Sequence, residues 1–188
     1  TAPGPGVKPP PAAAPILYPR DLPRRAPPPR PRGEPFAGPL LEERVAGAEA
    51  AAPRGGKAFV IEVRLADREE DWTKLRAEFP AVLSDPRSGA ARHFPAACRK
   101  APPAPEEVVF LDLETTGLSS SPLFLAGTMA WEAGDFVLRQ YFARTYAEEA
   151  AVVSLAVETL ARKRLLVSFN GKSFDLPYLR TRAAANGI

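Results

Sequence analysis

Cysteine and histidine are almost missing from this chain: Cys98 and His93 occur once each in 188 residues. One cysteine cannot close an intrachain disulfide or build a structural zinc site, so a reducing compartment is expected. A lone histidine in a polar stretch reads as solvated rather than catalytic. Long apolar runs are missing too. None approaches the roughly 20 residues of a membrane-spanning helix. The first residues are broken by proline every few positions, unlike the apolar stretch of a secretory signal, and a cytoplasmic location is the expectation. Glycine never recurs at every third position, which excludes a collagen.

Proline is what the chain has in excess. There are 23, where average usage of about 5% would give about nine. Fifteen of them lie at or before Pro53, so the sequence reads as two different polymers joined end to end. Charge is divided in the same way. Residues 1–35 hold six basic side chains (Lys8, Arg20, Arg24, Arg25, Arg30, Arg32) against Asp21 and Glu34, while the rest holds 19 basic and 20 acidic residues. The basic pI of about 9.2 therefore belongs to the leader and is no argument for nucleic-acid binding.

Three segments follow. Residues 1–38, with PPPAAAP and RRAPPPRPRGEP, favour polyproline II or disorder because proline fixes φ and removes backbone donors. Arg30 beside PPPRP also resembles a ligand for an aromatic-lined proline groove, a possible partner-docking role. Residues 39–105 are expected to hold a hairpin, a short helix and a linker. In that segment Lys57–Leu65 is a β-rich run after the turn signal Arg54-Gly55-Gly56, pairing with Val45–Ala51. Asp67–Phe79 reads as an acidic helix containing Trp72 and Leu75, and residues 84–105 as irregular. Residues 106–188 are the most ordered. Val108–Leu111 is a strand covered on both faces. Leu123–Trp131 and Phe136–Ala143 are strands joined at Glu132-Ala133-Gly134-Asp135. Thr145 and Glu148 form a capping box for a helix with Val152, Leu155, Ala156, Thr159 and Leu160 on one face. Leu165–Phe169 is a further buried strand, and Ser173 opens a helix ended by Asn186-Gly187. The order β-β-β-α-β-α predicts an α/β fold with a mixed sheet.

Within this pattern Asp112 and Glu114 are anomalous, because an apolar strand does not lightly accept two carboxylates. Two positions apart on a strand they share a face, roughly 6.5–7 Å apart at Cα, and can converge on a hard cation. Thr115-Thr116-Gly117 follows at once, with hydroxyls and amides able to face a phosphate or sugar. In Ser168-Phe169-Asn170-Gly171-Lys172-Ser173-Phe174-Asp175 a strand ends, a glycine turn follows, and Asp175 falls in the first turn of the next helix. The macrodipole alone favours an Asp there, but three carboxylates converging beyond neighbouring strand ends is the better account.

FLDLETTGL (Phe110–Leu118) resembles the first motif of the DEDD superfamily of 3′–5′ exonucleases, and SFNGKSFDLPYL (Ser168–Leu179) the second. By chance D-x-E-T-T-G arises on the order of once per million start positions. The step from Asn170 to Asp175 is similar to that in proofreading domains of family B DNA polymerases, and the whole looks closest to the YprB-like family. The resemblance implies a ribonuclease-H-like fold and a two-metal exonuclease acting on a single-stranded end of DNA or RNA. Asp112, Glu114 and Asp175 would hold two Mg²⁺ or Mn²⁺ ions, with Glu114 also orienting the attacking water. Thr115, Thr116 and Leu118 would lie near the terminal nucleotide, and Asn170 would steady the second motif. The family's third motif, a Tyr or His with a fourth carboxylate, is not reached by Ile188. The fold is thus expected to be incomplete at its C-terminus, the chain being the N-terminal piece of a longer nuclease. The alternative is a degenerate member that binds or scaffolds without cutting.

Overall fold

Apolar alternation and turn chemistry carry the sheet of this protein. The computed structural model describes residues 40–68, 71–115, 117, 121–169, 171 and 174–188. They belong to the unit Pro39–Ile188, and the leader expected over residues 1–38 lies outside the described residues. The strands are β1 (Ala48–Ala51), β2 (Lys57–Arg64), β3 (Val108–Thr115), β4 (Leu123–Glu132), β5 (Asp135–Phe142) and β6 (Leu165–Ser168). The helices are α1 (Thr73–Ser84), α2 (Ala96–Lys100), α3 (Glu149–Ala161) and α4 (Asp175–Ala185). All six strands form one sheet in the order β1-β2-β5-β4-β3-β6. Its pairs are antiparallel except β3 with β6. From β3 onward the order is the expected β-β-β-α-β-α. The expected hairpin also forms, with Ala48 opposite Val60. It extends the same sheet, because β2 pairs with β5 from Phe59↔Phe142 to Arg64↔Val137.

The β4–β5 connection shows how local chemistry sets register. Glu132 pairs with Asp135, leaving Ala133 at φ 52° and Gly134 at φ 81°. Two left-handed central residues make a type I′ turn, whose twist suits a two-residue hairpin. Glycine is at ease there. Ala133, with a Cβ, is strained.

Each face of the sheet has its own cover. On one, Leu111 and Leu113 of β3, Ala126 and Tyr141 pack against Val152 and Ala156 of α3 and Tyr178 and Leu179 of α4. On the other, Phe79 of α1 lies 4.7 Å from Phe136, 5.4 Å from Trp131 and 6.2 Å from Phe110, ring centre to ring centre. Leu83, Phe94, Cys98, Val108 and Leu165 continue this second core. The cover over α1's face stops at Phe110, so β3 is sandwiched in its first half and open on one face beyond it.

Several expectations need correction. The first helix runs over Thr73–Ser84 rather than 67–79, because Asp71 caps it from outside by accepting the Thr73 N–H at 2.9 Å. It also passes through Pro80. Burial of Leu83 and the Ser84 hydroxyl donating to the Pro80 and Ala81 carbonyls hold the turn beyond. Residues 84–105 are not all irregular: a 3-10 turn at Ala91–His93 and α2 lie there, with Cys98 only 3% exposed. The Thr145 side chain makes no capping bond. Glu148 instead accepts the Arg144 amide at 2.8 Å and the Arg144 guanidinium, which also reaches Glu49. The ion pair outcompetes the capping box, and α3 starts at Glu149 after a 3-10 turn. Finally, β6 ends at Ser168 and is an edge strand, so Val167 and Phe169 are exposed rather than buried. The helix expected from Ser173 is seen from Asp175, and Ser173 itself lies outside the described residues. Among the described residues no helix is long and apolar enough to cross a membrane.

Candidate active site

The site begins where β3 outruns its neighbour. Pairing with β6 ends at Leu111↔Ser168, whereas pairing with β4 continues to a register shift between Glu114 and Thr115. Strand alternation then divides the side chains. Leu111 and Leu113 point into the core under α3 and α4, while Asp112 and Glu114 stand exposed on the opposite face. Opposite Asp112 on β4 is Gly127, so the cross-strand partner puts no side chain beside this carboxylate.

Asp175 approaches from the other element. It is the first residue of α4, where the macrodipole favours a negative charge, yet it is only 4% exposed. Burial raises its pKa above the ordinary carboxylate value, and the charge of Asp112 raises it further. Hydrogen bonds from its own amide and from the Leu113 amide, which β6 leaves unpaired, oppose that shift without reversing it. No Lys or Arg among the described residues pairs with Asp175. Gly171 makes the approach possible: a Cβ there would sit 1.6 Å from the Ser168 hydroxyl oxygen and 3.1 Å from Asp175 Oδ2.

The three predicted carboxylates are therefore unequally placed. Asp112 and Asp175 are close enough for one charge to act on the other. Among the described residues no three His, Cys, Asp or Glu side chains form a group able to hold a metal ion, so Glu114 does not join the pair. Thr115 donates its hydroxyl to the Gly117 carbonyl at 2.6 Å, and its side chain lies beside the Tyr178 hydroxyl. Thr116, Leu118 and Asn170 lie outside the described residues.

Three supporting residues were not anticipated from sequence. Tyr178 is 5% exposed, and its hydroxyl donates to the Ser121 carbonyl, tying α4 to the far end of the β3–β4 loop. Burial pushes its pKa up. One helical turn on, Arg182 grips Glu149 of α3 at 2.6 Å (Nε to Oε1) and 2.5 Å (Nη2 to Oε2). Glu149 also accepts the Leu123 amide at 2.8 Å, at the start of β4. Burial alone would raise the Glu149 pKa; the Arg182 and Leu123 hydrogen bonds overcome it and hold the group below the usual range. This clamp joins α3, α4 and β4, and so fixes the helix that carries Asp175. A sequence signal existed: Glu149 opens an otherwise apolar stretch, AAVVSLAV.

An apolar groove of about 700 Å³ lies on the sheet face that α1 covers, floored by Val108 and Phe110 and walled by Phe79, Phe94 and Val167. Phe110 and Asp112 are two positions apart on the same face of β3.

Residues 109–187 match the family model of the RNase_H superfamily. No curated protein and no solved structure matched the chain. The mixed sheet, its strand order and this match together identify the fold as ribonuclease-H-like.

Proposed function

We propose that this ribonuclease-H-like region is a metal-dependent nuclease of the DEDD exonuclease type, nearest the YprB-like family, hydrolysing phosphodiester bonds from a 3′ end. One observation carries the reading: Asp175 is buried, has no cationic partner among the described residues, and is pushed toward protonation by its surroundings and by Asp112. Burying a carboxylate without compensation costs several kcal/mol, and a bound cation removes that penalty. An exposed carboxylate within electrostatic reach of a buried, uncompensated one suits a hard, oxygen-seeking ion such as Mg²⁺ or Mn²⁺. Asp112 and Asp175 would hold the first ion, and Glu114, exposed on the same strand face, would turn toward it and orient the attacking water. Such ions supply a nucleophile at neutral pH and neutralise charge on the transferring phosphoryl group. The chain's own part is placement. Thr115 and Tyr178 fix the two ends of the loop after β3, and the Glu149–Arg182 clamp fixes the start of α4 relative to it.

A second reading, a nucleic-acid-binding or scaffolding module without hydrolysis, draws on the absence of a three-carboxylate group among the described residues. One assay separates the two. A 5′-labelled single-stranded oligonucleotide with Mn²⁺ should be shortened from its 3′ end by the wild-type chain. Asp112→Asn and Asp175→Asn should each lower the rate at least about 100-fold, as loss of a principal electrostatic group does. Equal degradation by wild type and both variants would refute the assignment of the site, and intact substrate with tight binding would favour the second reading.

A further inference from the structure

Charge is spread unevenly beyond the leader. Residues 86–105 hold Arg87, Arg92, Arg99 and Lys100 and no acidic residue, whereas the rest of residues 36–188 holds 15 basic and 20 acidic residues. All four cations are exposed, yet the backbone that carries them is fixed. Ala91, Phe94 and Cys98 are buried in the second core beside Val108 and Leu165, and the Arg99 guanidinium donates to the Phe94 carbonyl at 2.9 Å. The arginines of the β4–β5 region are spent on carboxylates, Arg139 on Glu132 and Glu62, Arg144 on Glu148 and Glu49. Arg92 and Lys100 have no acidic partner among the described residues, and Asp85 accepts the Arg87 amide at 2.8 Å. Arg92 and Arg99 border a hollow of about 150 Å³ that Leu83, Phe94 and Cys98 also line, with no acidic residue in its lining. Apolar walls beside charge of one sign concentrate the field and favour an anion.

We propose that Arg92, Arg99 and Lys100 hold backbone phosphates of a polynucleotide at a place remote from the carboxylates. The proposal rests on the nuclease reading for the identity of the polyanion, and it adds a second point at which the strand is held. Two guanidinium forks beside one hollow match the oxygens of a phosphate, and a polynucleotide carries a phosphate at every residue. The hollow borders the start of β3 and β6, because Cys98 Sγ lies 4.0 Å from the Arg164 carbonyl and the next residue, Leu165, pairs with Val108. Asp112 is four positions further along β3, about 13 Å on. A phosphate in the hollow is therefore not the one presented to Asp112 and Asp175 but one further along the same strand. Such a contact reads no base, holds long strands better than short ones and weakens with salt.

The test measures binding without hydrolysis. Anisotropy of a long 5′-labelled oligothymidylate is followed in EDTA over a range of salt concentrations. The chains compared are wild type, Arg92→Gln/Lys100→Gln and the charge-conserving Arg92→Lys/Lys100→Arg. On a single strand each phosphate contact contributes about 0.7 to the slope of log K against log salt, or about fivefold in affinity at about 0.1 M salt. The Gln variant should lose about 1.4 of that slope and bind at least about fivefold more weakly at about 0.1 M salt. The charge-conserving variant should keep the wild-type slope. Three results would overturn the proposal: undetectable binding by wild type, less than fivefold weakening in the Gln variant, or equal weakening in both variants. Poly-glutamate displacing the strand as well as unlabelled oligothymidylate does, at equal charge, would also overturn it and assign the surface to an acidic protein. The nuclease reading is judged separately, by Mn²⁺-dependent shortening. Salt-dependent binding through Arg92 and Lys100 can survive if that cleavage fails, and cleavage can survive if these contacts fail.

Discussion

Replacing Arg182 by Met should damage the protein in a way that acid repairs. The Arg182 guanidinium is the cationic partner of Glu149, and the two side chains are 15% and 7% exposed. Removing one partner of a buried pair leaves an uncompensated charge and costs about 3–5 kcal/mol. At about 2–4 °C per kcal/mol for a domain of this size, Tm should fall by roughly 6–20 °C. In the native chain the Glu149 pKa is depressed below its ordinary 4.5, so the pair stabilises the fold above that value and its contribution is lost as pH falls through the folded pKa. In Arg182→Met burial is left to dominate, and the Glu149 pKa rises instead. The variant's stability is then recovered as pH falls and Glu149 protonates. The gap between wild type and variant, about 3–5 kcal/mol at pH 7, should shrink steadily toward pH 4. Glu149→Gln placed on Arg182→Met keeps an acceptor for the Leu123 amide and removes the stranded charge, restoring at least about 2 kcal/mol. Thermal and urea unfolding followed by circular dichroism at several pH values read all three. A Tm loss under about 2 °C, or a gap that widens in acid, would refute the account of the clamp.

Asp175→Asn should raise the Tm of the metal-free chain at neutral pH and abolish any Mn²⁺-dependent rise. The folded pKa of Asp175 lies above its ordinary 3.8, so the carboxylate weakens the fold once pH has risen through the folded pKa. The advantage of Asn should vanish in acid, as differential scanning fluorimetry across pH will show. Ala133→Asn should stabilise the β4–β5 hairpin by about 1 kcal/mol, or roughly 2–4 °C, because the left-handed conformation costs alanine about that much more. A fall in Tm would contradict the type I′ turn. Gly171→Ala should cost at least about 1 kcal/mol by overpacking and lower Mn²⁺ stabilisation as well, since the new methyl would meet both Ser168 and Asp175. Unchanged metal response in that variant would separate the turn from the site.

Much of this was legible because short-range rules decided it. The strands of the meander, the glycine-containing turn at Glu132–Asp135 and the placement of Asp112 and Glu114 on one open face all follow from period-two alternation and turn chemistry. What was not legible was settled by partners distant in sequence. Glu148 has the spacing of a capping residue, but Arg144 sits between Glu148 and Glu49 and claims it. Glu149 and Arg182 are 33 residues apart, and although Glu149 opens an apolar stretch, nothing near it in the chain names its partner. The apolar run at β6 has the composition of a sandwiched strand, yet its place in the sheet order leaves one side open. Propensity cannot distinguish a centre strand from an edge when both are apolar on the page. The convergence of Asp112 with Asp175 was legible; the standing apart of Glu114 depends on side-chain direction, which no pattern encodes.

The aromatic stack on the second face gives the molecule an optical gauge of its own. Trp131 is 6% exposed, with Phe79 and Phe136 at 5.4 Å and 5.0 Å. Phe79 belongs to α1 and also walls the groove floored by Phe110. Lifting α1 would widen the groove and, by the same displacement, uncover the Trp131 indole to water. A red shift of its emission, read in a Trp72→Phe background so that Trp131 is the single emitter, would therefore time any displacement of that wall.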